Sequence, residues 1–193
     1  MGDESPAAEP QLTDADKRAN VIRLAFGGSE ERFEEFLNVI RQEIPEGTGV
    51  VLRGSAITGK RWKDGAPFDA DGVGSSDLDL TLVGDAVIGL FTVTGFFIPG
   101  LHSRPLSEED PNIAPELVPL RETLIAMTGR PVNIQASREF VMQFRGDVLG
   151  QAYLTLIDPS TPRQAPGRPE QARVTMGSAS PRAESKGDEN EGA

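Results

Sequence analysis

Leu52-Arg53-Gly54-Ser55 and, after a loop, Gly74-Ser75-Ser76-Asp77-Leu78-Asp79-Leu80-Thr81-Leu82-Val83 decide how this chain is read. Residues 77–83 alternate polar and apolar as far as Leu82, the period of a strand with one buried face. Gly49-Val50-Val51-Leu52-Arg53 reads as a short buried strand running into Gly54. Residues i and i+2 of a strand share a face, so Asp77 and Asp79 converge on one point. Adjacent carboxylates repel unless a cation lies between them. A hard divalent ion with oxygen ligands, most naturally Mg2+, meets that demand. A strand ending in Gly-Ser lets backbone N–H groups approach an anion, because Gly has no Cβ, and the Ser hydroxyl adds a donor. A solvated strand face would also show Asp-Leu-Asp-Leu, and an ordinary strand-ending turn would also use Gly54-Ser55.

Outward from this core the chain alternates helix and strand signals. Thr13 can cap a helix carrying Val21, Ile22, Ala25 and Phe26, with Asp16 three residues on, and Gly27-Gly28 ends it. Ser29 can cap the next, with Phe33, Phe36, Leu37, Ile40 and Ile44 on one face and Pro45 as its stop. Residues 86–101 are apolar but broken by Gly and Pro, and their pattern selects neither helix nor strand. Pro115 is expected to start a helix with Leu117, Val118, Leu120, Leu124 and Ile125 on its core side, closed by Gly129. Residues 131–136 read as a third strand and residues 153–157 as a last one. The expected architecture is α+β, a small mixed β-sheet flanked by helices, over residues 13–158. Residues 1–12 and 159–193 are rich in Pro, Gly, Ala, Ser and charge and poor in large apolar side chains, which predicts disordered tails.

Composition narrows the function. Among 193 residues, 19 Lys and Arg stand against 30 Asp and Glu, for a net charge of -11. That balance disfavours a long phosphate-backbone footprint, but it permits a small anionic ligand held locally with a metal. The absence of Cys excludes a disulfide framework, a thiolate nucleophile and a Cys-ligated metal, and one His excludes a multi-His cage. No apolar run reaches the roughly 18 residues of a membrane span. The acidic start MGDESPAAEP has no apolar signal region. A soluble, cytoplasmic protein without a membrane partner is expected.

The order of helix, strand, Gly-Ser, then Gly-Ser-Ser-Asp-Leu-Asp-Leu resembles the DNA polymerase beta-like nucleotidyltransferase superfamily. Within it the chain looks most like the small bacterial nucleotidyltransferase-domain proteins, over about residues 30–136. The resemblance implies a nucleotidyltransferase-like fold in which Gly54 and Ser55 hold a nucleoside triphosphate such as ATP. It implies that Asp77 and Asp79 bind two Mg2+ ions as catalytic acids. The activity implied is transfer of a nucleoside monophosphate to an acceptor hydroxyl, on a small molecule, a protein or an RNA end, with release of pyrophosphate. Two departures stand out. Residues 56–75 form a long insertion between the motifs. The family's third carboxylate falls on Asn133, a neutral amide that cannot serve as a general base and is a poorer Mg2+ ligand. Asp69 or Asp71 of the insertion can be imagined supplying the missing charge, or can belong to a flexible loop.

Further candidates flank the motifs. Lys60, Arg61 and Lys63, with Trp62 among them, can neutralise triphosphate charge and stack a base, or form a solvated loop. Arg53 can contact phosphate or pair with a surface acid, and Ser76 adds a hydroxyl beside Asp77. His102 fits a hydrogen-bonded loop residue better than a base. Asn133 and Gln135 can line the site as neutral donors or face solvent. Asn133 also supports an alternative: a catalytically degenerate nucleotide-binding or antitoxin-like regulatory module, with residues 86–101 as a surface for a protein partner.

Overall fold

The computed structural model describes residues 12–139, 141, 146 and 149–160. The chain divides into two units, Met1–Arg163 and Gln164–Ala193, and every described residue belongs to the first. The expected tails therefore lie almost wholly outside the described residues.

Two helices open the fold. In α1 (Asp14–Ala25) the Thr13 side chain accepts from the Asp16 N–H while the Asp16 carboxylate accepts from the Thr13 N–H, a complete capping box. In α2 (Glu30–Glu43) the Ser29 hydroxyl accepts from the Arg32 N–H at 3.2 Å. Phe26, just past α1, packs edge-on against Phe33 and Phe36 of α2, with ring centres 5.2 and 5.1 Å away. Such pairs contribute roughly 0.5–1.5 kcal/mol each beyond their buried area.

The sheet is mixed and six-stranded: β1 (Gly49–Arg53), β2 (Leu78–Val83), β3 (Phe96–Ile98), β4 (His102–Ser103), β5 (Val132–Ser137) and β6 (Tyr153–Ile157). Its order is β3-β4-β5-β2-β1-β6. Among the described strands only β2 and β5 run parallel, and α5 (Val118–Thr128) lies between them in the chain. A parallel pair needs such a crossover, because a tight turn can only reverse direction. Gly129 ends α5 with φ of 66°.

Alternation sorts the sheet into two faces. Val50 and Leu52 of β1, Leu78, Leu80 and Leu82 of β2, and Val132, Ile134 and Ala136 of β5 are all buried in the main core with α1, α2 and α5. The intervening residues face the other way, and the register lines them up. Arg53 is opposite Asp79, and Asp79 is opposite Asn133. One row back, Val51 is opposite Thr81, and Thr81 opposite Gln135.

Several elements went unassigned in the sequence. Residues 86–101 hold the end of a one-turn helix α4 (Asp85–Ile88), a 3-10 turn (Val93–Gly95) and the edge strand β3. These pieces are too short to show a period. The expected helix at Pro115 begins as a 3-10 turn (Pro115–Leu117) and becomes α-helical only at Val118. Among the described residues no helix is long and apolar enough to cross a membrane.

Candidate functional site

Gly54 turns the chain out of β1 with φ of 89° and ψ of -163°, a conformation open to glycine and strained for other residues. A Cβ there would stand 3.1 Å from Asp79 Oδ2. The missing methyl is what lets the backbone corner lie against the Asp79 carboxylate. The four-residue helix α3 (Ser55–Thr58) follows, and its Ile57 carbonyl accepts from Asn20 Nδ2 of α1 at 2.9 Å. The first helix thus fastens the segment that carries Ser55.

Asp77 and Asp79 meet on the polar face. Asn133, beside them on the parallel strand, donates through one nitrogen to both: Nδ2 lies 2.7 Å from Asp77 Oδ2 and 3.0 Å from Asp79 Oδ1. Two carboxylate oxygens therefore share a single focus. The amide supplies its two N–H bonds where two anions face each other. Ser55, Ser76, Asp77 and Asn133 line one cleft of about 490 Å3, and Arg61 and Arg121 stand on its walls. A smaller hollow of about 360 Å3 lies over Val51, Val83 and Tyr153 and touches none of these residues.

The insertion is anchored to this site through Asp69. The Asp69 carboxylate accepts from the backbone N–H groups of Gly74 (3.0 Å) and Ser76 (2.9 Å). It also pairs with Arg130 at 3.0 Å, with both side chains largely buried. Arg130 in turn donates to the Ser76 carbonyl at 2.9 Å and lies over the Phe68 ring at 4.6 Å. Gly74, with φ of 80°, passes so close to the Gly129 carbonyl that a Cβ would sit 3.0 Å from it. Burial pushes the Asp69 carboxyl up. The Arg130 hydrogen bonds and the two N–H donors outweigh it and hold the carboxyl at about 2, below the ordinary 3.8. Asp69 thus clamps the residue before Asp77 and supplies no charge to the pair. Asp71 is held by Arg61 at 2.8 Å.

The remaining candidates separate. Arg53 donates through Nε to Thr81 Oγ1 at 3.1 Å and through Nη2 to Gln135 Oε1, so it braces three strands from the polar face. Gln135 is buried and also donates to the Ser103 carbonyl at 3.3 Å. Ser76 lines the cleft while its N–H, hydroxyl and carbonyl all serve the Asp69–Arg130 clamp. Lys60 is exposed at the base of a hairpin closed by a bridge to Pro67, outside the cleft lining. Trp62, in that hairpin, is 78% exposed. His102 is buried in β4, with the Phe97 ring stacked 6.3 Å away.

Sequence reasoning passed over Arg121 and Arg130. Arg121 lies in the first turn of α5 and Arg130 just past its end, and an Arg near a helix end gives no sign of the strand or loop it reaches. Asn133 facing the two acids was foreshadowed by the alternation of Val132, Ile134 and Ala136 against Asn133 and Gln135. Among the described residues no cluster of three or more His, Asp or Glu side chains is placed to hold a metal. No protein-family model, curated protein or solved structure matches the chain.

Proposed function

We propose that this chain is a nucleotidyltransferase-like protein that binds a nucleoside triphosphate with Mg2+ at Gly54, Ser55, Asp77 and Asp79. The observation that carries the reading is the shared focus of Asp77 Oδ2 and Asp79 Oδ1, within 2.7 and 3.0 Å of one nitrogen, beside a glycine whose Cβ would crowd Asp79. Hard carboxylate oxygens converging in this way suit one divalent ion, which would take the place of the Asn133 amide between them and offset the charge of both acids and of the phosphates. The donor set does not extend to the two ions of the resemblance, because the third position is an amide. Ser55 offers a hydroxyl donor to the cleft that Asp77 and Asn133 also line.

Catalysis in this reading is transfer of a nucleoside monophosphate to an acceptor hydroxyl with release of pyrophosphate. Asn133 favours a second reading, a nucleotide-holding regulatory module without turnover. An amide cannot take the proton of an attacking hydroxyl, and Asp69, the imagined substitute, is committed to Arg130.

Thermal unfolding with Mg-ATP, Mg-GTP, Mg-CTP and Mg-UTP tests the shared part. A rise in Tm with at least one, lost in Asp77→Asn with Asp79→Asn, is expected. No rise with any of the four would overturn both readings. Incubating the protein and a cell lysate with α-labelled triphosphates then separates them: label on an acceptor marks the transferase, and binding without label marks the module.

A further inference from the structure

Arg121 lines the cleft together with Asp71, Asp77, Glu108 and Glu109, yet forms an ion pair with none of them. Arg61, the other arginine on the cleft wall, is paired with both Asp64 and Asp71, at 3.2 and 2.8 Å. Arg121 instead donates through Nε to the Val132 carbonyl at 2.7 Å, and no carboxylate among the described residues pairs with it. Its Nη2 is shielded from water and meets no acceptor. Buried donors are nearly always satisfied, so the orphan Nη2 leaves this guanidinium short of an acceptor. The cleft that Arg121 lines is the route by which an anion can reach this guanidinium.

We infer that Arg121 is the phosphate-binding cation of this site, receiving the triphosphate of the nucleotide proposed above, on whose binding this inference rests. The Nε bond to Val132 fixes the guanidinium on the residue preceding Asn133, so it cannot swing freely. A fixed fork suits two oxygens of a phosphate group, which a lysine ammonium would meet as a point charge only. The placement also divides the labour at the site. Asp77 and Asp79 repel phosphate and need the divalent ion between, whereas Arg121 attracts phosphate directly.

Titration calorimetry with Mg-tripolyphosphate and with the Mg-nucleotide that raises Tm tests this. Arg121→Met is expected to weaken both ligands by about tenfold or more, the scale of one charge-assisted hydrogen bond. Arg121→Lys, which keeps the charge without the fork, is expected to fall between. The ligand-free Tm of Arg121→Met should fall only modestly, because the substitution removes the Nε bond to the Val132 carbonyl together with a water-shielded donor that has no acceptor. Wild-type affinity for both ligands in both variants would overturn the inference while leaving the nucleotide reading intact. So would a large ligand-free loss of Tm in Arg121→Lys with unchanged affinity, which marks a structural strut. A wild-type protein that binds neither ligand would overturn the inference and the reading together.

Discussion

Gly54, Asn133 and Asp69 show how single residues set the candidate site. Gly54→Ala would place a methyl 3.1 Å from Asp79 Oδ2 on a backbone at φ of 89°. The expected cost is about 1–3 kcal/mol in urea unfolding, with loss of the Mg-nucleotide Tm shift. Asn133→Asp replaces a donor to two carboxylates with a third carboxylate. In EDTA this variant should melt below wild type through like-charge repulsion, and Mg2+ should raise its Tm more than that of wild type. Equal Mg2+ responses would show that the third position does not govern metal binding. Asp69 contributes stability that is fully present above 3.8, its unfolded value, and is lost as pH falls towards about 2, its folded value. The difference corresponds to about 2 kcal/mol. Asp69→Asn should therefore be less stable than wild type at neutral pH by about that amount. The gap should close on acidification through that window, as followed by urea midpoints at several pH values.

Elements explain both what could be read in the sequence and what could not. The capping box of α1, the Ser29 cap of α2 and the leucine alternation of β2 are local signals, written within a few residues and reproduced in the structure. The facing of Asp77 and Asp79 followed from the same period of two. The one-turn helices α3 and α4, the three-residue β3 and the two-residue β4 carry no period long enough to detect. Their form comes from contacts distant in sequence, as when Asn20 of α1 holds the α3 carbonyl at Ile57. The Asp69–Arg130 pair joins residues 61 positions apart, so no local pattern announces it. The caps also have a measurable share in stability. Thr13→Ala removes one side of the α1 capping box and should cost about 1 kcal/mol in urea unfolding. A change much smaller than that would mean that tertiary packing alone fixes the start of α1.

Across the whole molecule, β2 is the strand with most support. It lies between β1 and β5, and Leu78, Leu80 and Leu82 are at most 1% exposed. At the far end β3 is an edge strand, with Phe97 62% and Ile98 48% exposed. Native-state hydrogen exchange should find the slowest amides in β2 and β5 and the fastest strand amides in β3. The reverse order would contradict the strand arrangement on which the site depends. The single tryptophan of the chain, Trp62, sits 78% exposed on the hairpin of the insertion, away from that core. Its indole is already hydrated in the native protein, so its emission should sit at long wavelength and be readily quenched by acrylamide. Intrinsic fluorescence should then barely register global denaturation, which circular dichroism would record in full. The same optical silence makes Trp62 a selective reporter for any ligand that settles against the hairpin.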